Sequence, residues 1–387
     1  MNQAFRDNAS TSFISQDSSL HRLMVELLER ADIRIGGNRP WDMRLNAPGV
    51  PERIFAQGNL GLGEAYMDGA WEAERLDEFF HRLLSARLDR QVQPVRMILH
   101  ALRARLVNLQ SSRRAWQVGR VHYDLGNAFY AAMLDPRMTY TCGYWKNAGN
   151  LTEAQEAKLE LICRKLRLEP GMRVLDIGCG WGSFLGYAAE RYGVQGVGVT
   201  ISKEQAIWAS QRYAGLPLEF RLQDYRQIEE HFDRIASVGM FEHVGHKNHR
   251  VFMEVATRCL AEGGLFLLHT IGKNDRSSST DPWIDRYIFP NGDVPSLGQI
   301  GDAANDLLIL EDLHNFGADY DKTLTAWCHN FEKAWPQFAD QLGERFRRMW
   351  RYYLLSCAGA FRARDLQLWQ LVLSKNGVPG GYERPVM

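Results

Sequence analysis

Apolar residues recur at helical spacing from Ser19 to about Leu109, as in Leu20, Leu23, Leu27 and Leu28, with a turn-rich interruption from Gly36 to Gly49. This pattern predicts a small, mainly helical N-terminal domain. Within it the stretch GNLGLGEAYMDGAWE, Gly58 to Glu72, carries four glycines that read as turn formers, because a phosphate loop would need a preceding strand. Farther on, Pro94 opens a predicted amphipathic helix whose stripe is Val95, Ile98, Leu99, Leu102, Leu106 and Leu109, with Arg96 and Arg103 on another face. The polar segment NLQSSRR then reads as a linker. The boundaries drawn are a small domain over 1–104, a linker over 105–118 and a larger domain over 119–387.

From Thr152 the pattern changes. Thr152-x-x-Gln155 reads as a capping box at the head of a helix through Leu159, Ile162 and Leu166. Strand and helix patterns then alternate: MRVLDIGCG, a helix after Gly182, VQGVGVTIS, a helix from Lys203, LEFRLQDY, FDRIASVGM, a helix near His249 to Leu260 ending at Gly263-Gly264, and LFLLHTIG. Such alternation predicts an α/β fold, a doubly wound parallel sheet covered by helices on both faces. The last hundred or so residues read as a helical, aromatic-rich extension.

Composition narrows the classes. A chain of 387 residues with 45% hydrophobic positions can build two or three cored domains. Lys plus Arg and Asp plus Glu both number 46, which argues against a surface made to hold nucleic acid. The balance is uneven along the chain, since Arg82 to Arg120 holds nine arginines against one acid, Asp89. Two readings fit that stretch: a solvated helix packed on its own domain, or attachment to an anionic membrane surface. The six cysteines form no C-x-x-C pair, so neither a disulfide framework nor a zinc site is indicated, and no metal is expected. No signal-like N-terminus and no apolar run of spanning length is found, which predicts a cytoplasmic protein.

Candidate chemistry starts where the first strand of the sheet meets Gly178-Cys179-Gly180-Trp181-Gly182. Glycines let the backbone approach a ligand at the carboxyl end of such a sheet. The third glycine falls one residue too early for a dinucleotide loop, and Asp176 stands two before the first. This D-x-G-x-G-x-G form resembles the loop of S-adenosylmethionine-dependent methyltransferases, in which the acid helps hold the amino group of the methionine part. The acid usually found about 20 residues on, for the ribose, is missing: the second strand ends in Thr200-Ile201-Ser202. Gln223-Asp224-Tyr225 closes the third strand, with an acid and an aromatic placed for an adenine. Glu242 and His269 stand at the ends of the fourth and fifth strands, where they should face the same crevice.

The segments HYDLGN (His122 to Asn127), MTYTCGYW (Met138 to Trp145), VLDIGCGWG, GVTIS, SVGMFEHVG, FLLHTIG, DPWIDRYIFPNG (Asp281 to Gly292), NFGADY (Asn315 to Tyr320) and FRARDLQLWQ (Phe361 to Gln370) together resemble the cyclopropane-fatty-acyl-phospholipid synthases, relatives of the mycolic acid cyclopropane synthases. The likeness spans nearly the whole chain, including GLGEAYMDG in the small domain. It implies a methyltransferase-type sheet and a reaction in which S-adenosylmethionine methylates the cis double bond of an unsaturated phospholipid acyl chain in a bilayer. A bound bicarbonate would then deprotonate the carbocation to close the ring. The resemblance places bicarbonate on Cys142, Glu242, His269, Tyr320 and the backbone of Ile271, with Cys357 a lesser catalytic candidate. It places S-adenosylmethionine on Tyr140, Thr141, Gly178, Thr200, Ile201, Gln205, Asp224 and Tyr225, beside Asp176 and Gly180 of the glycine loop. It also implies a homodimer attached to the inner face of the membrane, and a small domain that recognises lipid. Methylation without ring closure, or a non-catalytic lipid-binding descendant, are the alternatives that product analysis separates.

Overall fold

Strands that read as near-continuous apolar runs need cover on both faces, and here they form the middle of one sheet. The computed structural model describes residues 19–88, 126–276 and 280–386. A short antiparallel ribbon joins β1 (Arg44–Leu45) to β2 (Trp71–Glu72). The main sheet contains β3 (Arg173–Ile177), β4 (Gln195–Thr200), β5 (Leu218–Leu222), β6 (Phe232–Val238), β7 (Leu260–Lys273), β8 (Ile309–Asn315) and β9 (Leu366–Ser374). Their order is β5-β4-β3-β6-β7-β9-β8. The first five are parallel, and Leu175 sits between Val197 of β4 and Ile235 of β6. Chain direction across the sheet reverses between β3 and β6, which opens a crevice at their carboxyl ends.

The predicted fold class is the one observed, with refinements. The C-terminal region is helical and aromatic, yet it also returns two strands to the sheet: β9 runs antiparallel to both β7 and β8. The helix at His249–Cys259 stops before the two glycines expected to end it; Gly263 and Gly264 lie inside β7. The Thr152 capping box does not form. Asn150 caps the helix Leu151–Lys165 by accepting the Glu153 N–H at 3.0 Å, and Gln155 turns inward instead.

The small domain is helical, with Ser19–Arg30, Val50–Gln57, Asn59–Met67 and Leu76–Ser85. Only two of its four glycines make turns, Gly58 and Gly69, both at positive φ. Gly61 and Gly63 lie within the helix Asn59–Met67, and a Cβ on Gly63 would stand 2.4 Å from the Trp283 ring. That close approach ties the small domain to the segment 280–294. Trp71 packs on Phe79 at 5.0 Å, and Phe80 and Trp283 pack on Tyr352 at 5.1 and 4.4 Å. Each such pair adds about 1 kcal/mol beyond its burial. Arg362 bonds Asp77, Glu78 and Asp321, so the small domain and the helix Ala339–Arg362 share one core.

Most of the basic stretch Arg82 to Arg120, and the linker, lie outside the described residues. Of its cations, Arg82 is engaged within the small domain, bonded to Asp32 and Glu78 and seated 4.1 Å over the Trp41 ring. Among the described residues no helix is long and apolar enough to cross a membrane. All six cysteines are free.

Candidate active site

A cavity opens at the sheet's switch point, lined by the glycine loop, the segment 138–141, the end of β6, Ile271 of β7, the segment 280–294 and the two tyrosines Tyr320 and Tyr353. Gly178, Gly180 and Gly182 all have positive φ, as a backbone that must turn and stay open requires. A Cβ on Gly178 would lie 2.5 Å from the Met240 side chain, so the loop is held against the end of β6. Asp176, next to last in β3, is fully buried with Oδ1 unpartnered, and burial, partly offset by the Lys158 charge, raises its carboxyl to about 7. Where a ribose acid was expected, Thr200 Oγ1 donates to Gln205 Oε1 at 2.9 Å, and Gln205 lines the cavity.

The segment before β3 is fixed from below. The Asp135 carboxylate accepts the N–H of Arg137 at 3.0 Å and of Thr139 at 2.8 Å. Gln155 Nε2 donates to the carbonyl of Thr141 at 2.7 Å, and Lys158 Nζ donates to Thr141 Oγ1 at 2.8 Å. Tyr140 is thereby presented to the cavity, its hydroxyl 3.0 Å from that of Tyr353.

Glu242, which also lines the cavity, is buried in a short helical turn after β6. Its Oε1 accepts the Ile271 N–H at 2.6 Å, while Oε2 has no partner. Burial raises this carboxyl to about 7, against the lowering effect of the Ile271 bond. Tyr320 packs on Phe361 at 4.5 Å, and burial first, then the nearby Cys142 and Glu242, push its hydroxyl well above the ordinary phenol range. His269 lies one layer deeper. Its Nδ1 meets Gln370 Nε2 at 3.2 Å, its Nε2 is buried without a partner, and burial with the Lys158 charge keeps the ring neutral. The Cys142 thiol is also off the cavity surface and donates to the Gly143 carbonyl at 3.2 Å. Cys357 is largely buried on the helix Ala339–Arg362, and burial pushes its thiol up to about 12.

The chain matches the family described as mycolic acid cyclopropane synthetase over residues 110–371. It is 54% identical over 366 residues to the cyclopropane-fatty-acyl-phospholipid synthase of Escherichia coli K12, covering 94% of this chain and 96% of that protein. The chain belongs to the cyclopropane synthase family. The cyclopropane synthase MmaA2 of Mycobacterium tuberculosis superposes with a TM-score of 0.64 at 32% identity, over 67% of this chain and 98% of that one. Mycolic acid cyclopropane synthase CmaA1, solved in complex with SAH and CTAB, gives 0.63 at 33% identity, over the same shares. Like them, this cyclopropane synthase family member is an S-adenosylmethionine-dependent methyltransferase.

Of the residues predicted for the site, Tyr140, Thr141, Asp176, Gly178, Gly180, Gln205, Glu242, Ile271 and Tyr320 line the one crevice of this synthase. Thr200, Ile201, Asp224, Tyr225, Cys142, His269 and Cys357 are not on its described surface. The Asp224 carboxylate is taken up by Arg226, through the N–H at 3.0 Å and the guanidinium at 3.1 Å, and Tyr225 packs on Phe252 at 5.2 Å in the core. Sequence reasoning missed Gln155 and Lys158, which carry the 139–141 segment, and Gly239, where a Cβ would stand 2.5 Å from Thr141 Cγ2. Their signal was available. Positions 155, 158, 162 and 165 follow a 3-4-3 spacing, so the polar members share a face with Ile162 and are buried with it.

Proposed function

We propose that this enzyme methylates the cis double bond of an unsaturated acyl chain within a membrane phospholipid and closes a cyclopropane by removing one proton. The observation that carries the reading is Glu242, a buried carboxyl with one oxygen held by the backbone and one unpartnered, in the same crevice as the glycine loop. Bound S-adenosylmethionine supplies an electrophilic methyl. The glycine loop, the orphaned Asp176 Oδ1, Gln205 and the Tyr140–Thr141 segment fit that group, with Thr200 holding Gln205 by its hydroxyl.

The alkene is a neutral, weak nucleophile, so the chain's task is to exclude water, align the chain and accept a proton after attack. Tyr140, Tyr320 and Tyr353 line the crevice, where aromatic rings would stabilise a cation on the acyl chain. Bicarbonate is the proposed base, a small anion that supplies proton acceptance without exposing a protein nucleophile to alkylation. Glu242 Oε2 fits its hydroxyl and His269 Nε2 one of its oxygens, both being buried polar atoms without partners. Tyr320 completes the cradle. Ile271 N–H and the Cys142 thiol are already engaged, by Glu242 and by the Gly143 carbonyl, and would be shared with the anion.

The acyl chain lies in a bilayer, so we further propose peripheral attachment to the cytoplasmic face of the membrane, with the basic stretch as the contact and each Lys or Arg near an anionic surface adding about 1 kcal/mol. A homodimer would double that grip. Incubation with defined unsaturated liposomes and S-adenosylmethionine, followed by mass spectrometry of the lipid, tests the reading. A gain of one methylene with loss of the olefinic signal supports ring closure; a methyl branch supports the alternative; an unchanged lipid refutes both.

A further inference from the structure

Lys158 is a fully buried cation in the wall of the crevice that the proposed chemistry does not use. It projects from the helix Leu151–Lys165, and its ammonium makes one hydrogen bond, to Thr141 Oγ1 at 2.8 Å. Four titratable groups face it from the elements packed around it: Asp135 ahead of the 138–141 segment, Cys142 at its end, Asp176 on β3 and His269 on β7. Asp135 spends its oxygens on backbone N–H groups of its own turn. Asp176 is different, because its Oδ1 is buried with no partner and, among the described residues, Lys158 is the charge that acts to lower its carboxyl.

We propose that Lys158 is a positioning residue of the cofactor site: it pins Thr141 and supplies the positive charge against which Asp176 presents a carboxylate to the amino group of S-adenosylmethionine. Burying a lone carboxylate without a partner drives the group to its neutral form, which would present the ligand's ammonium with no charge. An ammonium nearby reverses that tendency, typically by 1–3 pH units. The placement explains a second feature. Burial first, then the Lys158 and Lys165 charges, keep His269 neutral, so the same positive charge favours the deprotonated form of a group in the cofactor-binding half and of one in the proton-accepting half.

The assignment rests on Asp176 holding the cofactor's amino group, and the test separates the two. S-adenosylhomocysteine binding to the full chain is measured by titration calorimetry at pH ~7 in buffers of different ionisation enthalpy, which counts the protons released. With the Asp176 carboxyl near 7, the parent releases about half a proton as that group ionises on binding. Lys158→Met should release close to one proton and bind about tenfold more weakly, since each unit of upward shift is a factor of ten. Lys158→Arg, which keeps the charge, should release as the parent does. Thr141→Val should weaken binding with proton release unchanged. Weak binding by Lys158→Met with the parent's proton release would reduce Lys158 to a structural prop and overturn the proposal. Should that variant fail to fold, Lys158→Gln takes its place under the same criterion. Asp176→Asn releasing as many protons as the parent would instead overturn the reading of Asp176.

Discussion

Glu242→Gln should stabilise the folded enzyme above neutral pH while abolishing turnover. Burial raises the Glu242 carboxyl from 4.5 to about 7. At about 1.4 kcal/mol per unit, the folded state carries a penalty of about 3 kcal/mol for holding that charge once the pH exceeds both values. Because the folded value lies above the unfolded one, the neutral group's contribution to stability is complete below 4.5 and is lost as the pH rises through about 7. Glutamine never ionises, keeps an oxygen for the Ile271 N–H, and places its amide nitrogen where Oε2 already lacks a partner. That unpartnered amide costs about 1 kcal/mol, leaving a net gain of about 2 kcal/mol at pH ~8 and a small loss at pH ~5. Urea unfolding followed by tryptophan fluorescence at the two pH values measures it, the chain having 11 tryptophans. The parent's turnover should fall as the pH drops through about 7, since the role requires the carboxylate. A variant less stable than the parent at pH ~8, or a difference that does not change with pH, would refute the reasoning.

Gly239→Ala puts a Cβ 2.5 Å from Thr141 Cγ2 at a φ of +71°, and should raise the dissociation constant for S-adenosylhomocysteine about tenfold by displacing the 139–141 segment; calorimetry reads it directly. Gly63→Ala drives a methyl into the Trp283 ring and should cost on the order of 2 kcal/mol in urea unfolding, with slower turnover because the segment 280–294 lines the crevice. Neutralising Arg103, Arg105, Arg113 and Arg114 together should weaken flotation with anionic liposomes, and the difference should shrink at high salt; unchanged flotation places the membrane contact elsewhere.

How much of this was legible depended on whether the signal was local. The glycine loop, the five parallel strands and Glu242 could be placed because strand runs and their carboxyl ends are set by short stretches of chain. β8 escaped because its sequence, ILEDLHN, is half-exposed and charged, and it becomes a strand only by pairing with β9 some fifty residues later. Its acid Asp312 is settled by Lys165 and by Arg384 near the end of the described chain, partners that no window could connect. Gln155 was misread because T-x-x-Q suits a helix start, yet Asn150 was the better cap and left the glutamine free to bond the Thr139 and Thr141 carbonyls. The glycines at 61 and 63 were read for their conformational freedom, whereas they serve close packing, Gly61 against the Arg53 backbone of the preceding helix and Gly63 against Trp283, more than two hundred positions away.

The protonation states of the crevice follow one logic. A methyl donor is an indiscriminate electrophile, and any thiolate or phenolate beside it would compete with the weakly nucleophilic alkene. Burial holds the thiols of Cys142 and Cys357 and the hydroxyls of Tyr320 and Tyr353 in their neutral forms, and lowers His243 to about 4, so that ring is uncharged as well. The two carboxyls that line the crevice with midpoints near 7, Asp176 and Glu242, come from different elements, one beside the glycine loop and one in the turn after β6. Hydrophobic walls alone would favour binding the lipid and leave the donor unheld, whereas a freely charged site would hold the donor and invite attack on the protein. Keeping the nucleophiles protonated while letting two carboxyls ionise near neutrality meets both demands with the same burial.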